Sequence, residues 1–124
     1  MSAALETLSA HAGVRSIFIY ISEAHAEDEW PVATPVEYAV ARNHCSIADR
    51  QSCAARAKAA LPGLAALPVF LDTMEDGFLR MYGAWPTQLY LFDKGALAHK
   101  ATPADAAFDV VDFYSKVREI LAAG

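Results

Sequence analysis

Residues 67–100, LPVFLDTMEDGFLRMYGAWPTQLYLFDKGALAHK, contain the pattern that decides the fold. Short runs of β-branched, leucine and aromatic residues alternate with glycine, proline and aspartate, which predicts strands, tight turns and one short helix. The pattern predicts a strand at Pro68–Asp72, a helix at Glu75–Tyr82 and a second strand at Gln88–Phe92. A turn at Asp93–Gly95 then leads into a third strand at Ala96–Lys100. Gly83 ends the predicted helix, and Gly95 is free to take the positive φ of a hairpin turn.

The flanking sequence extends this alternation of strands and helices. The sequence predicts a helix at Ala3–Ala12 and a buried parallel strand at Ser16–Ile21. A functional loop at Ser22–Val40 and a second helix at Ile47–Leu61 follow. Ser46 and Asp49 form a capping box for that second helix, and Thr102–Asp105 form another before a final helix. The apolar stripe of the final helix is Val110, Tyr114, Val117 and Leu121. This order predicts an α/β fold, with helices on both faces of one sheet.

Length and composition limit the class of protein. A chain of 124 residues with 55% hydrophobic residues suits a single domain over residues 1–124. The net charge of −5 comes without a basic stripe, so no nucleic acid partner is expected. No apolar run reaches the roughly 18 residues of a membrane span, and the first residues lack signal-peptide character. Two cysteines are too few for a disulfide scaffold, so we expect free thiols and a cytoplasmic protein.

The stretch from Leu67 to Lys100 resembles the C-terminal half of peroxiredoxin- and thioredoxin-like proteins. Their shared pattern is an apolar strand ending in aspartate, a helix ending in Tyr-Gly, a cis-proline and a hairpin. In this sequence the pattern falls on Asp72, Tyr82–Gly83 and Pro86. The resemblance implies a thioredoxin-like fold of about four strands with flanking helices, and a cis peptide bond before Pro86, next to the redox centre.

A more specific resemblance lies in Ile19–Trp30, IYISEAHAEDEW. This segment is similar to the iodothyronine deiodinase motif of tyrosine, two residues and Glu-Ala-His, followed by aspartate and tryptophan. Further matching blocks are Asn43–Arg50, Leu71–Met74, Tyr82–Ala84 and Leu89–Tyr90. The chain is therefore identified as a bacterial-type homologue of this family, which removes iodine reductively from thyroid hormones with a selenocysteine or cysteine.

The resemblance implies which residues form the site. The positions that match family active-site residues are Tyr20, Glu23, His25 and His44. The family's substrate-binding arginine falls on Gln88, which argues against recognition of an iodothyronine carboxylate. Pro86 is a second departure, towards ordinary thioredoxin-like proteins.

The residue types fit reductive dehalogenation, which needs a soft nucleophile and a proton donor. Glu23 and His25 follow a predicted parallel strand at its carboxyl end, where α/β sheets place their sites. Histidine suits proton donation, Glu23 is positioned to orient His25, and Tyr20 belongs either to the same network or to the core. Trp30 and Trp85 form either an aromatic wall for a ring substrate or structural packing. No metal is expected, because the spacing of the acidic and histidine side chains matches no established pattern.

The family's catalytic residue follows a strand that precedes the first helix, and Met1 already lies within the matching helix. We therefore expect this sequence to lack the catalytic segment and a central strand, between those at Ser16–Ile21 and Gln88–Phe92. Three outcomes are open: closure of the gap, which puts Ile19 and Leu89 on directly paired strands, a homodimer through the exposed sheet edges, or a longer gene product.

The leading hypothesis is a deiodinase-like oxidoreductase that is catalytically incomplete as written, with no cofactor. Its expected partners are a small aromatic or halogenated substrate and a thiol reductant. One alternative is a thiol oxidoreductase that uses Cys45, which lies at a helix entrance beside His44. Cys53 is expected to be a packed or exposed small residue. The other alternative is a non-catalytic module that binds a small aromatic ligand or assembles with a partner.

Overall fold

The computed structural model describes residues 11, 13–32, 42–104 and 108–124. The predicted helix at Ala3–Ala12, apart from His11, lies outside the described residues, as do the end of the loop at Ser22–Val40 and Asp105. The described residues fall into two compact units, one up to Pro86 and one from Thr87 to Gly124.

In the unit up to Pro86, two short strands pair in parallel. Strand β1 is Phe18–Tyr20 and strand β2 is Val69–Leu71, with Ile19 opposite Phe70. Both segments are apolar runs, and the parallel pairing predicted for the first strand is confirmed. That strand is three residues shorter than predicted, and only Tyr20 of its residues is buried. The backbone N–H of Asp72 continues the ladder by donating to the Tyr20 carbonyl, at 2.9 Å. The pairing therefore places the residues after Tyr20 and after Leu71 at the same sheet edge.

Helix α1 is Ile47–Ala60, and it begins at the predicted N-cap Ser46. The hydroxyl of Ser46 accepts from the Asp49 N–H at 3.1 Å, which confirms half of the capping box. The Asp49 carboxylate reaches one residue further back than expected and accepts from the Cys45 N–H at 3.2 Å. Helix α2, Pro62–Ala65, follows at once, with proline in its first turn.

The core of this unit lies where α1 covers the two strands. Tyr20, Ala54 and Ala57 are buried together, and the partly buried Phe18, Cys53, Val69 and Leu71 pack against them. Alanine on the buried face of α1 has no bulk to hold the helix away from the sheet, so the Tyr20 ring fits beneath it. The site-bearing end of β1 is thus anchored by a packed aromatic ring.

Helix α3 is Gly77–Tyr82, two residues shorter at its start than the sequence predicts. The buried carboxylate of Asp72 explains this start, because it accepts from the Phe78 and Leu79 N–H groups at 2.8 and 2.9 Å. Gly83 ends the helix with φ +61°, as expected for a glycine C-cap.

The unit from Thr87 contains an antiparallel hairpin. Strand β3 is Leu89–Asp93 and strand β4 is Ala96–Ala101, with Leu89 opposite Ala101 and an irregularity between Leu91 and Phe92. Lys94 and Gly95 have φ of +49° and +82°, as in the turns that match the twist of a hairpin. The predicted hairpin is confirmed.

Helix α4, Val110–Ala123, begins later than the capping box at Thr102–Asp105 predicts. Thr102–Ala104 are not helical, so that prediction is wrong. Asp109 is the N-cap instead, and its carboxylate accepts from the Asp112 N–H at 2.9 Å. Phe113 and Val117 are the buried residues of this helix.

The described strands form two two-stranded sheets, β1 with β2 and β3 with β4. With the helices, this is a mixed α/β architecture, compatible with a thioredoxin-like fold. β1 and β3 belong to different units, and their direct pairing, one of the three outcomes left open by the sequence, stays a prediction.

Candidate functional site

Three predicted site residues gather where β1 ends. The Tyr20 hydroxyl donates a hydrogen bond to the Glu23 carboxylate, and the Tyr20 ring lies 5.5 Å from the His44 ring, between centroids. Tyr20 is 8% exposed, and burial, reinforced by the Glu23 carboxylate, raises the pKa of its phenol far above the usual value. Tyr20 therefore remains a protonated donor, which holds the Glu23 side chain against the strand end.

His44 is a neutral hydrogen-bond donor in this cluster. Its Nδ1 lies 3.3 Å from Nε of Arg50, and because a guanidinium can only donate, Nδ1 must accept. The ring proton is thereby assigned to Nε2, which is buried without a hydrogen-bond partner among the described residues. Burial, together with the Arg50 charge, lowers the pKa of His44.

His25 has the opposite tautomer. Its Nδ1 lies 3.2 Å from the carbonyl oxygen of Trp30, which can only accept, so Nδ1 carries a proton. The lone pair of Nε2 is then open in the neutral ring. The expected orientation of His25 by Glu23 is not among the described contacts, since the Glu23 carboxylate accepts from Tyr20 and the Trp30 backbone takes the His25 proton.

His25 lies against an aromatic wall. Its ring centroid is 4.9 Å from that of Trp30, and Trp30 stacks on Trp85 at 5.9 Å with 22° between the ring planes. Trp30 is 55% exposed and Trp85 is 43% exposed, so packing leaves part of each ring accessible to a ligand. The peptide bond between Trp85 and Pro86 is cis, the conformation that the resemblance implies.

Asn43 joins the loop after β1 to the entrance of α1, a role that sequence reasoning missed. Its side-chain amide donates to the Glu23 carbonyl at 3.1 Å and to the Glu29 carboxylate at 3.0 Å. Its Oδ1 accepts from the backbone N–H groups of Glu23 and His44, at 3.3 and 2.9 Å. One asparagine therefore fixes the backbone of two candidate site residues.

Arg50 is the second residue that sequence reasoning missed. Its side chain is 2% exposed, although it carries a full charge. Besides His44, it binds the carbonyls of Asp72 and Thr73 at 3.1 and 2.6 Å and the Asp76 carboxylate at 3.1 Å. An arginine in a helix is usually solvated, so residue type alone gives no signal of this burial.

The two cysteines have different surroundings. Cys45 is exposed, and its thiol lies 3.6 Å from the Asn43 carbonyl oxygen. Cys53 is partly buried against the core, and burial raises the pKa of its thiol. Both line an open cavity of about 400 Å³, together with Arg42, Asn43, His44, Asp49, Ser52 and Arg56.

Gln88 belongs to the other unit, where it precedes β3. Its Oε1 is buried without a hydrogen-bond partner among the described residues. Within the described ranges, no three His, Cys, Asp or Glu side chains are grouped to hold a metal ion. None of the described helices has the length and apolar character needed to cross a membrane.

A mixed α/β chain with small sheets and flanking helices is compatible with the thioredoxin-like class of proteins. Residues 7–122 match the sequence model of a family described as iodothyronine deiodinase. The chain belongs to the iodothyronine deiodinase family.

Individual relatives support this assignment. The chain is 36% identical over 84 residues to type I iodothyronine deiodinase of Xenopus laevis, which covers 68% of this chain and 31% of that protein. It is also 36% identical over 84 residues to human thyroxine 5-deiodinase, covering 68% of this chain and 26% of the human protein. Type II iodothyronine deiodinase of Petromyzon marinus is 28% identical over 110 residues, 88% of this chain and 35% of the relative. The matched regions span about a third or less of these relatives.

Proposed function

We propose that the described residues form the ring-binding and proton-handling part of a reductive dehalogenation site for a small halogenated phenol, and that they do not provide its nucleophile. The observation that carries the proposal is the pairing of His25 with the Trp30 carbonyl beside two exposed, stacked tryptophans. It places a titratable ring nitrogen next to a surface suited to an aromatic substrate. Membership of the deiodinase family supports the reaction type.

The aromatic wall binds the substrate ring. Trp30 and Trp85 offer large, rigid faces at little cost in conformational freedom, and a halogenated ring gains both apolar burial and stacking there. The sequence has Gln88 where the family carries its substrate-binding arginine. A phenol without a carboxylate side chain therefore suits this chain better than an iodothyronine does.

His25 donates the proton that the ring carbon needs. When protonated, His25 carries a proton on each nitrogen, and transfer from Nε2 leaves the Nδ1–H tautomer. The Trp30 carbonyl accepts from Nδ1–H in that product, so the contact selects Nε2 rather than Nδ1 as the nitrogen that gives up the proton. The ring is only partly buried, and water can restore the proton.

The full reaction needs two reagents of the thiol or selenol class. A selenolate or thiolate attacks the halogen and takes it as a halogen cation, and the electron pair of the broken carbon–halogen bond stays on the ring carbon. That carbon takes the His25 proton and becomes C–H. A thiol then attacks the chalcogen–halogen bond, releases halide and forms a disulfide or selenosulfide, which accounts for the two electrons.

Neither cysteine is suited to be the nucleophile. Burial raises the pKa of the Cys53 thiol, and the exposed Cys45 thiol contacts the Asn43 carbonyl oxygen, a group that cannot stabilise a thiolate. The chain taken alone is therefore proposed to be catalytically incomplete. A cytoplasmic location, a homodimer and a physiological thiol reductant stay predictions that accompany this proposal.

Calorimetric titration with 2,6-diiodophenol tests the binding step. We expect saturable binding to the wild type and an affinity about tenfold lower for His25→Ala, because a ring contact and a hydrogen-bonding nitrogen are lost. His11→Ala is the matched control and should bind like the wild type. No heat change with the wild type, or equal affinity after His25→Ala, contradicts the proposed site.

Iodide release with an added small selenol and excess dithiothreitol tests the chemical step. The wild type should accelerate release above the protein-free rate, and His25→Ala should not. A variant with both Cys45→Ser and Cys53→Ser should keep the wild-type rate. Loss of the acceleration in that double variant would assign the nucleophile to a cysteine of this chain.

A further inference from the structure

We infer that Arg50 is a positioning residue that holds His44 as a neutral ring with its proton on Nε2, so that the site keeps one buried, unsatisfied N–H donor. The inference concerns His44 in the cluster that it forms with Tyr20 and Glu23 at the end of β1, and it does not rest on the proposed roles of His25 and the two tryptophans. The contact of Arg50 Nε with His44 Nδ1, at 3.3 Å, is the observation from which it starts.

The guanidinium cannot turn away from His44. Nη1 of Arg50 donates to the carbonyls of Asp72 and Thr73. Nη2 donates to the Asp76 carboxylate, with an Nη2–Oδ1 distance of 3.1 Å. Rotation of Arg50 would remove its hydrogen bond to the carbonyl of the buried Asp72, which is costly at a site where the Arg50 side chain is 2% exposed. It would also remove its bond to the Thr73 carbonyl, which would keep only the Asp76 N–H as a donor. The direction of its Nε–H is thus fixed by three acceptors on the segment between β2 and α3.

This fixed donor disfavours the other two states of His44, both of which carry a proton on Nδ1. A proton on Nδ1, whether in the alternative neutral tautomer or in the imidazolium, would point at the Nε–H of Arg50. The loss of one hydrogen bond from a charged donor disfavours those states by about tenfold or more. His44 is therefore suited to donate a hydrogen bond from Nε2 and unsuited to relay a proton through both nitrogens.

The charges around His44 come from several elements. Arg50 acts from α1 and lowers the pKa of His44 in the same direction as burial does. Glu23 from the loop after β1, Asp49 from α1 and Asp76 before α3 raise it. The net direction is downward, in agreement with a ring that stays neutral near neutral pH. The neighbouring Tyr20 phenol stays protonated and adds no charge.

Nitrogen-15 NMR of the histidine-labelled full chain reads the tautomer directly, and a spectrum of His44→Gln assigns the His44 signals. At about pH 7, the wild type should show a proton on Nε2 and none on Nδ1. A proton on Nδ1 in the wild type, or a charged ring, overturns the inference without recourse to any variant of Arg50. Because this readout needs no substrate, it is independent of the phenol titration: a failed titration would leave it standing.

Arg50→Lys tests whether Arg50 is the cause. Lysine keeps a distal charge for the Asp76 side but has a methylene group where arginine has Nε–H. We expect the pKa of His44 to rise and the Nδ1–H tautomer to become populated. Arg56→Lys, at an exposed position of the same helix, should leave both unchanged. An unchanged tautomer ratio and pKa in Arg50→Lys would overturn the role of Arg50.

Asp76→Asn guards against a purely structural explanation. This substitution weakens the hydrogen bonding of Arg50 to the segment between β2 and α3, but it leaves the Nε–H of Arg50 and Nδ1 of His44 in place. We expect lower stability with an unchanged His44 tautomer. If Asp76→Asn alters the tautomer as much as Arg50→Lys does, general loosening of the segment accounts for the effect and the inference fails.

Discussion

The indole rings of Trp30 and Trp85 lie nearly parallel, with 22° between their planes, although 54 residues lie between them along the chain. Both rings are substantially exposed, so replacing one removes ligand-binding surface with little loss of core packing. We expect Trp85→Ala to weaken binding of 2,6-diiodophenol by about tenfold, a loss of about 1.4 kcal/mol.

Trp85→Phe is the matched control for this prediction, because phenylalanine keeps an aromatic face. Calorimetry should rank the affinities as wild type, then Trp85→Phe, then Trp85→Ala. An alanine variant that binds as tightly as the wild type would mean that the stacked rings are structural rather than part of a ligand site.

The hydrogen bonds of the Asn43 side chain, here called the Asn43 clamp, predict a stability effect at the entrance of α1. Asn43→Ala removes four hydrogen bonds, of which three join the loop after β1 to the start of the helix and one is local, to the His44 N–H. Since the position is only partly buried, water replaces some of them, and we expect a loss of about 1–3 kcal/mol in the free energy of unfolding. Urea denaturation followed by circular dichroism measures it.

Asn43→Asp separates the two functions of that side chain. Aspartate keeps an oxygen for the backbone N–H groups of Glu23 and His44 but loses both donors and adds a charge beside Glu29. It should fall below the wild type in stability. A wild-type midpoint for both variants would show that the clamp contributes nothing to folding.

Much of the fold could be predicted because strands and turns depend on local sequence. The apolar runs around Ile19, Phe70 and Leu91 all form strands, and Gly83 and Gly95 take the positive φ values that their positions require. The start of the last helix could not be predicted from the sequence, because Thr102 and Asp109 are both acceptable N-cap residues. Thr102 has the residue pattern, but Asp109 makes the hydrogen bond.

The candidate site shows a different limit. The resemblance to the family predicts Tyr20, Glu23 and His44 as site residues, and the three side chains lie together at the end of β1. The tautomers of the histidines depend on Arg50 and on a backbone carbonyl, and neither has a sequence signature. A buried arginine and a carbonyl contact arise only when helix and loop are packed together, so local pattern cannot reveal them.

The buried carboxylate of Asp72 predicts a second stability effect, at the start of α3. It accepts hydrogen bonds from the backbone N–H groups of Thr73, Phe78 and Leu79. Asp72→Asn replaces one acceptor oxygen by a donor that faces other donors, so we expect a loss of about 2–3 kcal/mol. Chemical denaturation should show it, whereas the exposed Glu75→Gln should change stability by less than about 0.5 kcal/mol. Equal stability of the two variants would remove Asp72 as the determinant of this helix start.

Tyr20 predicts how stability responds to alkaline pH. Burial and the Glu23 carboxylate raise the pKa of Tyr20 in the folded chain above its unfolded value of about 10. Above that pH the unfolded chain loses a proton that the folded chain keeps. The contribution of Tyr20 is therefore fully present below about pH 10 and is lost as pH rises further.

Tyr20→Phe should abolish this contribution to the alkaline slope, although it also loses the hydrogen bond to Glu23 at every pH. Urea denaturation midpoints measured from about pH 8 to 11 would show converging curves for the wild type and the variant. Parallel curves would mean that Tyr20 titrates in the folded chain as it does in the unfolded one.

The different surroundings of the two cysteines predict the order in which they react. Cys45 is exposed, whereas Cys53 packs against the core and burial raises the pKa of its thiol. Because alkylation proceeds through an accessible thiolate, iodoacetamide at neutral pH should modify Cys45 first, and the two rates should converge in denaturant. Peptide mass spectrometry resolves the two sites.

The absolute rate of Cys45 alkylation also tests the alternative of a thiol oxidoreductase. Since the thiol of Cys45 contacts a carbonyl oxygen rather than a hydrogen-bond donor, we expect it to react no faster than a free peptide thiol. A Cys45 that reacts many times faster would favour this alternative over the proposed dehalogenation site.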